Sequence, residues 1–263
     1  MKSAVLILNF ILISILSYGQ DCYKEAPLEN MKLDYFNLWS GYTFQGTIGD
    51  DNQRIELRFI EVSQNRTNPS QYFVQGKSRV HNNVCDFEGV VIIDKIMLLD
   101  MSNGGCGEPS MSDGILYGTY SFKENPAQLH VGQFKGEFKT MFDKKENRFV
   151  VNTGWLGQED FNCFMGIWQE YNQTESRYCA WGFHIPPSKK ENLLKHYDNE
   201  FYLFNPMYIE KGWKPYVLSK LNAFIKVPLD FESNTSRTTE DFFTYSADEI
   251  RQAIDEENKA WWN

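Results

Sequence analysis

Between residues 42 and 168 apolar and polar side chains alternate with a period of two, and six of the alternating segments centre on a glycine. They are Phe44-Gln45-Gly46-Thr47-Ile48, Val74-Gln75-Gly76-Lys77-Ser78, Phe87-Glu88-Gly89-Val90-Val91, Leu116-Tyr117-Gly118-Thr119-Tyr120, Phe134-Lys135-Gly136-Glu137-Phe138 and Phe164-Met165-Gly166-Ile167-Trp168. A period of two is the signature of a strand, whose successive side chains leave opposite faces. Each glycine therefore shares a face with its flanking aromatic or aliphatic residues, while Gln45, Lys77, Glu88, Lys135 and Glu137 point the other way. Glycine weakens a strand, so its recurrence on the apolar face implies a sharp bend in a closing sheet or space kept for a neighbour's ring.

Short polar breaks separate these segments, at Gly49 to Asn52, Ser63 to Ser70, His81 to Asn83, Asp94-Lys95, Asp143 to Asn147 and Asn172 to Glu175. Breaks of this length join antiparallel neighbours and leave no room for crossover helices. The chain is thus mainly β: an antiparallel meander over residues 42–187 closing as a barrel, with a β-sandwich as the alternative. Residues 20–41 form an N-terminal segment ahead of it.

After Pro186-Pro187 the pattern changes to a mixed α/β appendage over residues 188–263. Ser188-Lys189-Lys190-Glu191 and Ser246-Ala247-Asp248-Glu249 are capping boxes that open helices. The second helix carries Ile250, Ala253, Ile254 and Trp261 on one side, which predicts burial of Ile250, Ile254 and Trp261 against the barrel. Phe201 to Ile209 and Leu221 to Phe231 are expected strands. The adjacent Trp261 and Trp262 are assigned to packing onto the barrel.

Residues 1–19 read as a signal peptide: Lys2 supplies the positive start, Ala4 to Leu16 the apolar stretch, and Ser17-Tyr18-Gly19 a cleavage site before Gln20. The stretch is too short to span a bilayer as a helix, so the expected location is secreted or periplasmic, with no stable membrane anchor after cleavage. In an oxidising compartment cysteines are disulfide candidates before they are metal ligands. Cys85 with Cys106, and Cys163 with Cys179, are the expected pairs. The first rests on a hairpin of Val84–Ile93 with Ile96–Met101 about Asp94-Lys95.

Composition narrows the function without naming it. With 26 Lys+Arg against 35 Asp+Glu the net charge is -9, which argues against a nucleic-acid partner. The four histidines lack zinc spacing, and neither a metal nor a cofactor is expected. No G-x-S-x-G, H-E-x-x-H, P-loop or G-x-G-x-x-G sequence is present. Glu159-Asp160 is the best carboxylate pair near an aromatic, but adjacent residues on a strand face opposite ways.

The export signal, the meander and Gly166-Ile167-Trp168, which matches a short Gly-x-Trp element, give the chain a resemblance to the lipocalin and avidin group of secreted barrels. The resemblance covers residues 42–185 and implies a closed meander that holds a small, often apolar ligand. It departs from the lipocalin pattern, in which that element belongs on the first strand. The first reading is therefore a secreted binding protein for a small apolar or glycan-like ligand, rather than an enzyme, with Tyr120, Phe138, Trp155 and Trp168 as ligand contacts. Two alternatives stay open: an extracellular carbohydrate-active hydrolase or lyase on a β-sandwich using Glu159 or Asp160, and a surface or inhibitor protein acting through its outer face and Trp261-Trp262.

Overall fold

The computed structural model describes residues 22–28, 38–102, 112–146, 148–151, 162–183, 193–197, 201–221, 223–233 and 237–263. The expected signal peptide, Cys106, Trp155, Glu159, Asp160 and the capping box at 188–191 lie outside the described residues. The strands in chain order are β1 (Tyr23–Ala26), β2 (Thr43–Ile48), β3 (Gln53–Gln64), β4 (Gln71–Val80), β5 (Asn83–Leu99), β6 (Gly114–Glu124), β7 (Gly132–Lys145), β8 (Arg148–Val151), β9 (Asn162–Glu170) and β10 (Ser176–Gly182). Each of β2 to β7, then β9 and β10, pairs antiparallel with the next, and β10 returns to β2. The result is a closed antiparallel barrel of 8 strands. Outside the ring, β1 pairs with the far end of β5 and β8 with the end of β7.

The meander and its closure are those expected, and the glycines show why it closes so tightly. An eight-stranded barrel has a bore just wide enough for side chains to fill. Here the filling is aromatic: Phe164 stacks on Trp181 at 5.7 Å and on Phe138 at 5.3 Å, and meets Phe44 edge-on at 5.6 Å. Rings this large fit where the neighbouring strand has no side chain: a Cβ on Gly118 would stand 2.6 Å from the Phe138 ring, and one on Gly76 2.5 Å from the Phe87 ring. Gly46 lies opposite Trp181, and a Cβ there would stand 2.6 Å from the Trp181 Cβ. Gly136 and Gly166 are direct partners across β7 and β9, and a Cβ on Gly136 would lie 2.0 Å from the Met165 carbonyl oxygen. Trp39, fully buried before β2, closes one end of the bore with its ring against Tyr72 and Phe138, each at 5.5 Å.

Two expectations about β5 and the cysteines are corrected. Asp94-Lys95 is not a turn: β5 runs through it, and the register with β6 shifts between Ile93 and Lys95, a bulge that bends the strand. The hairpin that was to bring Cys85 to Cys106 therefore does not form, and Cys85 faces Ser78 on β4 instead. Cys163 pairs with Gly182 and Cys179 with Gly166, three positions out of register, so their side chains leave opposite faces of the sheet. Cys85, Cys163 and Cys179 keep their thiols, and among the described residues no two cysteines are joined. Gly166-Ile167-Trp168, the element behind the lipocalin resemblance, lies on β9, late in the barrel.

Beyond the barrel, β11 (Leu194–His196), β12 (Tyr202–Phe204) and β13 (Ile225–Lys226) make a small second sheet beside α1 (Lys214–Ser219) and α2 (Ala247–Glu257). The long strands expected over 201–209 and 221–231 shrink to two and three residues, because Asn205 caps a 3-10 turn at Pro206–Tyr208 that ends β12. The capping box of α2 forms as read: Ser246 Oγ accepts from Glu249 N at 3.2 Å, and Glu249 Oε2 accepts from Ser246 N at 3.0 Å. Its buried residue is Ala253, whereas Ile250 is only partly covered and Ile254 is 40% exposed. Trp261 is half-buried rather than buried; it lies under the Arg79 guanidinium at 4.9 Å, and Trp262 under that of Arg58 at 4.0 Å. Cation-π stacking on the barrel's outer face thus replaces the apolar contact expected of that helix.

One arginine fastens the appendage to the barrel. Arg54, on the outer face of β3 and only 4% exposed, grips Glu257 bidentately at 2.7 and 2.8 Å and donates to Gln45 Oε1 from Nε and Nη2 at 3.0 and 2.7 Å. Glu56 stands 3.2 Å away, and the rings of Tyr216 and Trp213 flank the guanidinium at 5.3 and 5.8 Å. Removing one partner of a buried ion pair leaves the other charge uncompensated. Arg54→Ala is therefore expected to destabilise the protein by about 3–5 kcal/mol in urea unfolding. A loss below about 1 kcal/mol, the range of a surface pair, would show that the clamp is not what holds the appendage. Gly136→Ala is expected to cost about 1–3 kcal/mol, because the collision with a fixed carbonyl outweighs the strand preference of alanine; an unchanged urea midpoint would contradict the close strand approach.

Candidate ligand site at the open mouth

The end of the barrel opposite Trp39 carries the turns β2–β3, β4–β5, β6–β7 and β9–β10, and it opens into a pocket of about 430 Å³. Four of these turns hold a non-glycine residue in the left-handed region: Asn52, His81, His130 and Asn172, with φ between 50° and 65°. Asparagine and histidine are among the residues that tolerate this geometry best, which keeps the hairpins tight and the rim short. Ile48, Ile55, Val80 and Phe134 continue the inward faces of their strands as the apolar part of the pocket wall, beside polar rim residues such as Gln53, Asn83 and Arg177.

Among these residues stands one buried carboxylate. On β6 the inward positions run Leu116, Gly118, Tyr120, Phe122 and then Glu124, so the strand's own alternation carries the acid into the barrel end. Glu124 is 4% exposed. Its Oε2 accepts from Gly132 N at 2.8 Å and from Trp168 Nε1 at 2.9 Å, and its Oε1 accepts from Ser78 Oγ at 2.5 Å. Burial raises its pKa, and the three hydrogen bonds, which favour the anion, pull against that rise. Ser78 arrives by the same logic as Glu124, as the inward residue after Tyr72, Val74 and Gly76 on β4.

The surrounding groups are exposed. Arg177 holds its guanidinium 5.7 Å from the Trp168 ring, His81 and His130 sit on their turns, and Asp51 is paired with Lys211 at 2.7 Å. Cys85 also lines the pocket; burial pushes its thiol up to about 11, with the Glu124 charge adding to the effect. It is thus a protonated and unreactive thiol at neutral pH.

Of the four aromatics expected to touch ligand, the structure places Trp168 at the mouth. Tyr120 and Phe138 are 3% and 2% exposed and belong to the packed bore: Tyr120 lies 5.1 Å from Trp181, and Phe138 stacks on Phe164. Trp155 lies outside the described residues. Glu124 and Ser78 were not singled out from the sequence. The available signal was a polar residue at an inward position, where the alternation calls for an apolar one.

The raised carboxyl of Glu124 has a measurable consequence. In the folded chain it keeps its proton to a higher pH than in the unfolded chain, so the folded state binds more protons between the two values. Its contribution to stability therefore falls as pH rises through that window. Glu124→Gln should remove this fall while preserving the contacts, since an amide oxygen can accept from Gly132 and Trp168 and the amide nitrogen can donate to Ser78. Urea unfolding from pH 4 to 8 is expected to show the wild type losing stability relative to the variant as pH rises. Parallel curves would show that the carboxyl is not strained by burial.

No protein-family model, no curated protein sequence and no solved structure matches this chain. The barrel and the mouth therefore stand on their own geometry.

Proposed function

We propose that the protein is a secreted binding protein that takes a small ligand with an apolar body at the open mouth of its barrel. The observation that carries this reading is the contrast between the two ends. The bore is filled with rings and Trp39 closes one end, while the other end keeps a pocket of about 430 Å³. A pocket of that size, with an apolar wall and polar groups converging on it, has the features of a small-molecule site. Export is supported by the pattern of residues 1–19; among the described residues no helix is long and apolar enough to cross a membrane. The outer-face alternative loses its principal feature, because Trp261 and Trp262 are engaged by Arg79 and Arg58 of the same chain.

The test is a titration with the neutral dye N-phenyl-1-naphthylamine, read by its fluorescence. Wild type is expected to bind with enhanced, blue-shifted emission. Val80→Trp, which fills the mouth from its wall, should weaken binding by roughly tenfold or more, a difference of about 1.4 kcal/mol, with the circular dichroism unchanged. Equal binding by a folded Val80→Trp variant would move the site elsewhere, and no binding by wild type would remove the apolar-ligand reading.

A further inference from the structure

We propose that the ligand of the mouth is an organic cation, a protonated amine on an apolar body, whose ammonium group docks on Glu124. This rests on the mouth being the binding site and adds the chemistry of what binds there. Three observations support it. Glu124 is buried, and among the described residues no Lys, Arg or His lies within ion-pair distance of it, so its charge is held by three neutral donors. The capacity of these donors is uneven: Oε2 accepts two N–H groups and Oε1 accepts one hydroxyl, which leaves an acceptor position on Oε1 for a further donor. Phe134 and Trp168 line the same pocket, so aromatic rings stand beside the counter-ion, the Trp168 ring with Arg177 5.7 Å from it.

The basic groups at the rim do not reverse this choice. Arg177, His81 and His130 are exposed, so water and salt screen them, whereas Glu124 is screened little. Asp51 is already neutralised by Lys211. Burying an unpaired charge is costly for a fold, and the cost is offset when a ligand of opposite charge and matching donors arrives. A neutral ligand would leave Glu124 as it stands, and an anionic one would bring a second negative charge beside it.

The experiment compares two probes of nearly equal shape, 2-phenylethylamine and 2-phenylethanol, by calorimetry at neutral pH, with the naphthylamine dye as a reporter of the mouth. Wild type is expected to bind the amine about tenfold more tightly than the alcohol, the size of one charge-assisted hydrogen bond. Glu124→Gln should bring the two within about twofold. Equal affinities in wild type, or neither probe binding while the dye does, would overturn the cation and leave the mouth as a site for neutral ligands. An amine preference that survives Glu124→Gln would overturn the role of Glu124. If the dye also fails to bind, the mouth reading falls and this inference falls with it. Should the variant not fold, the wild-type comparison of amine with alcohol decides by itself.

Discussion

The constraint that governs this molecule is the fit of large aromatic rings inside a closed eight-stranded wall. Phe44, Phe59, Phe122, Phe164 and Trp181 meet one another at centroid separations of 5.0 to 5.8 Å, within the range in which each pair adds about 0.5–1.5 kcal/mol to what burial supplies. Such rings need places on the wall where nothing projects, and the inward glycines provide them. The same packing decides where binding can happen. A bore filled by its own side chains cannot hold a guest, so polar chemistry is confined to the end where the strands run out of rings.

Glu124 marks that boundary. One step further along β6 than Phe122 in the inward direction, it has the burial of a core residue and the chemistry of a surface one. A carboxylate in such a place costs several kcal/mol unless its oxygens are satisfied. Three donors from three other strands or turns do most of that, which ties Ser78, Gly132 and Trp168 into one arrangement. The result is a pre-formed acceptor at the barrel end, in contrast to exposed carboxylates of the outer face such as Glu88 and Glu137.

Much of the barrel was legible because its signal is local: alternation within a strand, glycine on the apolar face, and turns too short for helices. What was missed depends on register between strands. Asp94-Lys95 looks like a turn by residue type, yet neighbours on both sides hold β5 together across it. The cysteine pairings failed for the same reason, since a shift of three positions between β9 and β10 is invisible in either strand alone. Tyr120, Phe138 and Trp168 carry the same inward pattern, and only the depth of each along the bore separates core from site. The C-terminal helix was found by its cap, but its packing was misjudged because the partners of Trp261 and Trp262 are arginines, Arg79 and Arg58, on strands far away in the sequence.

The Arg54 clamp also bears on the mouth. Close to it, Gln53 donates to the Lys211 carbonyl at 2.6 Å, Asn52 accepts from Trp213 Nε1 at 2.8 Å, and Asp51 pairs with Lys211. Asp51 and Gln53 belong to the pocket lining, so one side of the opening is braced from outside by the C-terminal part of the chain. The aperture is in this sense a joint property of two cores. By reciprocity, any guest that prefers one position of the β2–β3 turn strengthens or loosens the seat of the C-terminal part by the same free energy with which that part shapes the guest's affinity.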